Sequence, residues 1–197
     1  MKIAIDFDGT LYETEKEMRV EAEVYDIEEL HGKGIINKGR TWVQEKYEWT
    51  DEEKAKFISK FVYITKRSDP LPGAKEIFRK FKDMGIELIL ITARGDQKYE
   101  DDEQMIQSAK DKLEKDGFHF SKMIFKTPDK VQTCIDEKVD FMIDDSPEVC
   151  QSTTNNKIKT IFMHDGEVHG IENPNEYLYE VGNWGEAYRV IYNYMNK

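Results

Sequence analysis

The sequence is poor in the features that stabilise small secreted proteins or anchor a chain in a membrane. It has two cysteines, Cys134 and Cys150, which form neither a Cys-x-x-Cys pair nor part of a ligand cluster. Such sparse usage is typical of reduced thiols in a cytoplasmic protein, where a buried cysteine serves as a small packing residue. No apolar run approaches the ~20 residues that a membrane helix needs, so we expect no membrane partner. Residues 1–5 are too few for the apolar core of a signal peptide, and we expect none.

Positive charge is also in short supply. The chain has 29 lysines and arginines against 40 aspartates and glutamates, which gives a formal net charge of -11 at pH 7. A polyanion such as DNA or RNA would be repelled, and no basic stripe offsets this field, so no nucleic-acid polymer is expected as a partner. A small phosphorylated molecule remains compatible, because a divalent ion and one or two lysines can reverse the sign of the charge locally.

The chain does contain a regular alternation of two kinds of segment. Short, apolar, β-rich stretches occur at residues 2–7, 87–91, 122–125, 140–143 and 157–163. Amphipathic stretches with a helical period separate or follow the later ones, at residues 74–84, 102–115, 129–137 and 184–194. Apolar strands that alternate with amphipathic helices predict an α/β fold, a Rossmann-like parallel sheet with helices on both faces.

Residues 12–70 interrupt this alternation. They include a charged, helix-prone stretch and a capping-box sequence in which Thr50 is the N-cap and Glu53 the N3 residue. We therefore predict a helical cap, residues 12–70, inserted after the first strand of a core domain made of residues 1–11 and 71–197. Aromatic side chains in this segment could stack on a nucleobase, but they more often form the core of such a subdomain; they are Trp42, Tyr47, Trp49 and Phe57.

The first strand ends in two carboxylates, Asp6 and Asp8, followed by a Gly-Thr turn. Residues two apart in an extended strand point the same way, roughly 7 Å apart along the chain. Two crowded carboxylates repel each other and stay ionised together only if a cation lies between them. The arrangement predicts a metal-assisted reaction in which one aspartate is the nucleophile and the other carries the proton.

Two other predicted strand ends carry polar side chains. The second strand runs into Thr92, Ala93 and Arg94, and the fourth ends at Asp144 and Asp145. In a parallel sheet these ends share one edge with the first aspartate pair, and open α/β sheets bind ligands there. Clustered carboxylate oxygens suit Mg²⁺. The threonine hydroxyl and the backbone N–H groups that follow it can hold a phosphoryl oxygen, whereas Arg94 can grip phosphate or form a surface ion pair.

A lysine completes the set, since a point charge can neutralise both an attacking carboxylate and a phosphoryl oxygen. The third strand is followed by two candidates, Lys126 and Lys130. We favour Lys130 because Pro128 marks the start of a helix and places Lys130 in its first turn. The residues alone do not separate Asp144 from Asp145 as the metal ligand.

The order of these motifs resembles the haloacid dehalogenase superfamily of phosphotransferases that work through an aspartyl-phosphate. The resemblance rests on Asp-Phe-Asp-Gly-Thr at residues 6–10, then Thr92, Lys130 and the Ile-Asp-Asp at residues 143–145, and it spans the whole chain. Within the superfamily, residues 142–147 together with the Asp-Lys pair at 129–130 resemble the 5'(3')-deoxyribonucleotidase group. The predicted helical cap also resembles the cap of that group.

The resemblance implies a phosphatase that works in two steps. Asp6 would attack phosphorus to form an aspartyl-phosphate, and Asp8 would protonate the leaving oxygen and then activate the hydrolytic water. Mg²⁺ would be held by Asp6, the backbone carbonyl of Asp8 and Asp145. Asp144 would then lie behind these ligands or bind the metal through water.

The implied substrate is a small-molecule phosphomonoester, and the subgroup resemblance favours a nucleoside monophosphate. One alternative is a phosphatase for a sugar phosphate or a phospho-amino acid, and another is a non-catalytic module that binds metal or phosphate. The presence of both Asp6 and Asp8 argues against the non-catalytic module, since a degenerate copy would tolerate loss of the proton-transfer residue.

Overall fold

The computed structural model describes residues 1–38, 43–95, 102–127, 129–164 and 171–196. Six parallel strands form one sheet in the order β3-β2-β1-β4-β5-β6. Their bounds are β1 Lys2–Ile5, β2 Glu87–Ile91, β3 Lys122–Ile124, β4 Phe141–Asp144, β5 Lys159–Met163 and β6 Leu178–Val181. This order is that of a doubly wound, Rossmann-like sheet, so the predicted fold class is confirmed.

Helices cover both faces of the sheet. The described helices are α1 Thr14–Glu28, α2 Asp51–Ser59, α3 Phe61–Arg67, α4 Ala74–Asp83, α5 Asp102–Asp116, α6 Lys130–Asp136, α7 Pro147–Asn155 and α8 Trp184–Met195, with a 3-10 turn at Val43–Glu45. Helices α4, α5 and α8 contribute to the core on one face, and α6 and α7 contribute to the core on the other. Within the described residues, none of these helices combines the length and the apolar character that crossing a membrane requires.

The first strand shows why the strands are apolar on both sides. Ile3 and Ile5 pack into the cluster that contains the apolar faces of α4 and α8. Ala4, which lies between them, belongs to the opposite cluster with Cys134 and Met142. Because successive side chains of a strand point to opposite faces, a sheet covered twice needs an apolar residue at every position.

Two sequence predictions about these elements need correction. The helical period of residues 129–137 predicts a buried face of Val131, Cys134 and Ile135, but Ile135 is 48% exposed, because this short helix buries Lys130 and Cys134 instead. Strand β6 was not predicted at all: three of its four residues are exposed or half-buried at the edge of the sheet, so no continuous apolar run marks it. Both cysteines are buried and unbridged, as their predicted packing role requires.

Helices α1, α2 and α3 lie between β1 and α4 and have a hydrophobic cluster of their own. Tyr47, Trp49 and Phe57 are all buried in this cluster, and the Trp49 ring stacks on Tyr47. These three aromatic side chains therefore form the core of the helical segment, as such residues more often do, rather than a platform for a nucleobase. Trp42 lies outside the described residues.

The capping box at the start of α2 is present as predicted. The Thr50 side chain accepts a hydrogen bond from Glu53 N, and the Glu53 carboxylate accepts one from Thr50 N at 2.7 Å. At its other end the helix stops at Ser59, and α3 starts after Lys60.

The two segments that connect the sheet to these helices lie side by side. Leu71 N donates to Leu11 O at 2.9 Å, and Glu13 N donates to Asp69 O at 3.0 Å. The helical segment therefore leaves and re-enters the sheet region at one place, which suits an inserted cap. The division at residues 11/12 and 70/71 stays a prediction.

Candidate active site

The loop after β1 is built around Asp6 and a tight turn. Asp6 N still donates to Ile143 O of β4, at 3.0 Å, so the Asp6 backbone continues the sheet for one more residue. The Phe7 carbonyl then accepts from the N–H groups of Leu11 and Tyr12, which closes the turn. The chain reverses direction just after Asp6, and the Asp6 side chain is buried at the carboxyl edge of the sheet.

Gly9 allows this turn to approach Asp145. Its φ angle is +71°, and a Cβ atom placed there would lie 2.0 Å from Asp145 Oδ2. Thr10, the next residue, donates from Oγ1 to Asp145 Oδ1 at 2.9 Å. The Gly-Thr part of the motif thus positions the Asp145 carboxylate. Glycine leaves the space that this carboxylate fills, and threonine donates a hydrogen bond to it.

Lys130 lies in the middle of the acidic residues. Its Nζ donates to Asp144 Oδ2 at 2.8 Å and lies 2.8 Å from Asp6 Oδ1. Burial alone favours a neutral amine, but the carboxylates of Asp144 and Asp6 outweigh it and raise the pKa of Lys130 well above its ordinary value. The lysine is therefore held charged beside the candidate nucleophile.

Lys126, the rival lysine, lies in a different environment. Its side chain is 45% exposed and forms an ion pair with Glu103 of α5. Helix α6 begins at Lys130, with Asp129 as its N-cap accepting from Gln132 N at 2.9 Å. Pro128, on which the preference for Lys130 was based, lies outside the described residues, but the Asp129 cap is a second sequence signal for the same helix start.

Asp6, Asp144 and Asp145 form a compact acidic cluster whose candidate ligand oxygens all lie within 4.8 Å of one another. Burial, reinforced by the charges of Asp144 and Asp8, raises the pKa of Asp6 to about 7 even with Lys130 nearby. Burial and the charges of Asp144 and Asp6 also raise the pKa of Asp145. One ammonium group cannot neutralise three carboxylates, two of them buried and the third half-buried, so the cluster favours either protonation or a further cation.

The donor set fits a hard divalent cation. All three groups offer carboxylate oxygens, the ligands that Mg²⁺ prefers. Asp6 Oδ1 is buried, and the Lys130 ammonium lies 2.8 Å from it. The fit to a metal ion therefore rests on the three carboxylates together, whose charge one lysine does not balance.

The structure also distinguishes Asp144 from Asp145. Asp144 is fully buried, and its two oxygens accept from Lys130 Nζ and from Ser146 N, the latter at 2.9 Å. Asp145 is half-buried and accepts from the Thr10 hydroxyl. Protein donors therefore occupy both oxygens of Asp144, and direct binding of the metal by Asp145 stays a prediction.

Asp8 lies outside the acidic cluster and pairs with Arg94. The Arg94 Nε atom donates to Asp8 Oδ2 at 3.1 Å, and the Nη2 atom contacts the other carboxylate oxygen. The Arg94 side chain is 1% exposed. A surface ion pair is therefore wrong for this residue, because its guanidinium is buried between the sheet and the cap. The predicted phosphate contact of Arg94 stays a prediction.

Thr92 closes the other side of the site. It follows β2, the neighbour of β1 in the sheet, and is 2% exposed. Its N–H donates to Ile124 O at 3.0 Å, and its hydroxyl accepts from Arg94 N at 3.2 Å. Ala93 is half-buried beside it. The structure thus places Thr92 and the two aspartate motifs on adjacent strand ends, as the sheet order requires.

Two features of the site were not predicted from the sequence. Thr65 of α3 hydrogen-bonds the Arg94 guanidinium, and a cavity of about 240 Å³ opens beside Asp145. The cavity lies between α1 and the ends of β5 and β6, and its lining includes Glu13, Glu15, Lys16, Arg19, His164 and Asn183. No local pattern signals these residues, because their proximity depends on where the cap lies against the sheet.

From the sequence, His164 and His169 are predicted to be exposed residues that flank a Gly-rich loop after β5, and for His164 the predicted exposure is wrong. It is half-buried, its ring stacks on Phe162, and its Nε2 lies 3.5 Å from Glu180. The parallel pairing of β5 with β6 brings Glu180 alongside it. His169 and most of the charged run at 96–103 lie outside the described residues.

Comparison with solved structures confirms the fold. A haloacid dehalogenase-like hydrolase from Streptococcus pneumoniae is 12% identical with a TM-score of 0.68, covering 96% of this chain and 97% of its own. A predicted phosphatase from Clostridium acetobutylicum is 15% identical with a TM-score of 0.65, covering 98% of each chain. A predicted phosphoglycolate phosphatase from Haemophilus somnus is 13% identical with a TM-score of 0.57, covering 96% of each. At these identities the likeness concerns the fold alone.

The sequence itself carries the family assignment. Comparison with curated proteins gives no match. A family model described as haloacid dehalogenase-like hydrolase matches residues 3–128, which is more than half of the chain and includes the aspartate pair and Thr92. Since this model covers more than half of the chain, the chain belongs to the haloacid dehalogenase-like hydrolases.

Proposed function

We propose that this hydrolase is a Mg²⁺-dependent phosphomonoesterase that works through an aspartyl-phosphate on Asp6. The observation that carries the proposal is the buried Lys130 ammonium, which lies 2.8 Å from both Asp6 and Asp144 beside a three-carboxylate cluster. A charged lysine, backbone donors and clustered carboxylates around one strand end form an arrangement that can bind and transfer a phosphoryl group.

The first step forms the intermediate. An Asp6 carboxylate oxygen attacks phosphorus, the bond from phosphorus to the ester oxygen breaks, and the leaving oxygen takes a proton from Asp8. Lys130 favours the ionised form of Asp6 against the effect of burial, and it can offset charge on the phosphoryl oxygens. The Thr92 hydroxyl and the Ala93 N–H are the proposed donors to a further phosphoryl oxygen.

The second step reverses the role of Asp8. It takes a proton from a water molecule as the water oxygen attacks phosphorus, and the bond to Asp6 breaks. Inorganic phosphate leaves, and both carboxyl groups return to their starting states. One group thus serves as acid and then as base.

Asp6, Asp145 and the backbone carbonyl of Asp8 are the proposed ligands of Mg²⁺, with Asp144 behind them in contact with Lys130. When bound, the ion supplies positive charge that offsets the charge of the phosphoryl group. Gly9 and Thr10 hold Asp145 in place for this role.

The substrate proposal is a nucleoside monophosphate, on the strength of the motif resemblance, but the structure also supports the alternative. Tyr47, Trp49 and Phe57 are packed inside the cap and offer no open ring face for a base. The described cavity beside Asp145 has charged groups in its lining together with Leu71, Pro72, Met163 and Trp184. Its small volume favours a compact leaving group, such as a sugar or an amino acid. A cytoplasmic location remains part of the proposal and suits two free, buried thiols.

The direct test is hydrolysis of p-nitrophenyl phosphate by the purified protein with Mg²⁺ or with EDTA. We expect turnover only with the metal, and none in Asp6→Asn, whose circular dichroism should match the wild type. Asp83→Asn, on the exposed surface of α4, is the matched control and should retain activity. A wild-type protein without Mg²⁺-dependent hydrolysis would contradict the proposal and favour a binding module.

Two further measurements refine the result. Mg²⁺ should raise the melting temperature of the wild type and not of Asp145→Asn, because a ligand of the native state stabilises it by mass action. A panel of nucleotides, sugar phosphates and phospho-amino acids should show selectivity for one class. A flat response across nucleotides and sugars would remove the nucleotidase proposal.

A further inference from the structure

Arg94 joins three parts of the molecule at one buried point. Two of its nitrogens bind the two carboxylate oxygens of Asp8, on the loop after β1. A third nitrogen donates to Thr65 Oγ1 on α3 of the cap. Arg94 itself follows β2, so one guanidinium connects two strand ends of the sheet to a cap helix.

The pairing is well suited to hold a carboxylate in one orientation. A guanidinium is planar and presents its N–H groups in a rigid fork, so two bonds to one carboxylate restrict its rotation. The Arg94 guanidinium also packs on the Phe7 ring, with its carbon 4.6 Å from the ring centre. Asp8 is 28% exposed, so it keeps a face toward solvent or substrate while its other side is held.

We propose that Arg94 is a positioning residue, which orients the Asp8 carboxylate for proton transfer and ties that orientation to the cap through Thr65. The inference rests on the proposed function, because it concerns the proton donor of that reaction. It differs from the phosphate contact predicted from the sequence. Three nitrogens of the guanidinium are already engaged by Asp8 and Thr65, whereas a phosphate-binding arginine directs its fork toward the substrate.

The two roles of Arg94 predict different dependence on the leaving group. An alkyl phosphate releases an alkoxide, which needs the proton of Asp8. A p-nitrophenyl ester releases a stable anion, which needs little help. Loss of positioning should therefore reduce kcat/KM for an alkyl phosphate and nearly spare p-nitrophenyl phosphate, whereas loss of a phosphate contact should reduce both equally.

The experiment is a double-mutant cycle between Arg94→Lys and Asp8→Asn, measured as kcat/KM on both esters. This constant excludes the later hydrolysis of the intermediate, so it isolates the step in which Asp8 is the acid. On the alkyl ester we expect Arg94→Lys to cost on the order of 10²-fold in the wild type and little in the Asp8→Asn background. Inhibition by inorganic phosphate should be unchanged.

Two other variants complete the design. Thr65→Val removes the cap contact at nearly constant volume. It should show the same leaving-group selectivity with a smaller loss of kcat/KM. If circular dichroism shows that Arg94→Lys does not fold, Thr65→Val provides the test. Arg67→Lys, at an exposed ion pair on the same helix, is the matched control and should leave both esters unaffected.

Several outcomes would overturn the inference. They are equal losses on the two esters, equal losses with and without Asp8, or weaker inhibition by phosphate, which would assign Arg94 to the phosphate instead. Any of these in an active, Mg²⁺-dependent protein leaves the proposed function intact. A wild type that hydrolyses neither ester would overturn both proposals together.

Discussion

Lys126 and Lys130 illustrate how the environment of a residue decides its chemistry. Lys130 is buried against two carboxylates, whereas Lys126 is half exposed beside Glu103. We expect Lys130→Met to reduce kcat/KM by about 10²-fold or more, because its charge is directed at the reacting groups. Lys126→Met should change it less than about twofold, as is typical of exposed ion pairs. Steady-state kinetics on p-nitrophenyl phosphate compare the two, and the opposite ranking would exchange their roles.

Gly9 offers a second test at the residue scale. Gly9→Ala combines a positive φ with a Cβ that would lie 2.0 Å from the Asp145 carboxylate. Gly34→Ala is the matched control, since Gly34 has a φ of +80° and nothing within 4 Å of its Cβ position. Both should lose about 1 kcal/mol of stability from backbone strain, but Gly9→Ala alone should lose Mg²⁺-dependent turnover. Similar turnover in the two variants would show that Asp145 tolerates displacement.

Helix α2 allows a prediction at the scale of a single element. Thr50→Ala removes the side-chain acceptor for Glu53 N and should lower the free energy of unfolding by about 1 kcal/mol. Thr50→Ser keeps the hydroxyl and should stay close to the wild type. Urea denaturation of the three proteins measures the difference. A loss in the serine variant equal to that in alanine would mean that the methyl group, rather than the cap, stabilises this end.

The elements differ in how well local sequence predicts them. Helix α4 has a strong signal because Ile77, Phe78 and Phe81 form one buried face. Strand β6 lies at the edge of the sheet and buries little beyond Val181, so its sequence resembles a loop. The break between α2 and α3 after Lys60 also has no proline or glycine to announce it.

Asp116 matters at the scale of the whole molecule because it joins separate parts of the chain. Its carboxylate accepts from Lys75 of α4 at 2.8 Å and from the Tyr12 hydroxyl, next to the cap crossing, at 3.0 Å. Burial opposes ionisation, but the bonds from Lys75, Lys112 and Tyr12 outweigh it and lower the pKa of Asp116 below 3.8. Folding therefore favours the ionised form.

This lowered pKa predicts a pH dependence of stability. The contribution of Asp116 is fully present above the unfolded-state pKa, about 3.9, and is lost as the pH falls through the lower folded-state pKa. Asp116→Asn should therefore cost about 1–3 kcal/mol near neutral pH, and the difference from the wild type should shrink below about pH 4. Urea denaturation across this range measures it, with the exposed Asp83→Asn as control. A difference that grows toward acid would contradict the assigned direction.

The motifs of the chain were sufficient to predict the sheet class and the candidate site residues. Apolar strands and amphipathic helices reflect burial, which each residue carries in its own side chain. Asp6, Asp8, Thr92 and the Asp144-Asp145 pair follow predicted strands, and the common direction of parallel strands places such ends at one edge. This information is local, so it can be read along the chain.

Only the tertiary structure decided which of these groups touch. Arg94 and Asp8 are 86 positions apart, and Thr10 and Asp145 are 135 positions apart. The burial of Arg94 and the cavity beside Asp145 follow from how the cap helices lie against the sheet, and the contact of Lys130 with Asp144 follows from how α6 lies against the end of β4. No residue pattern encodes these contacts, because the energy of each depends on side chains that come together only when the fold is complete.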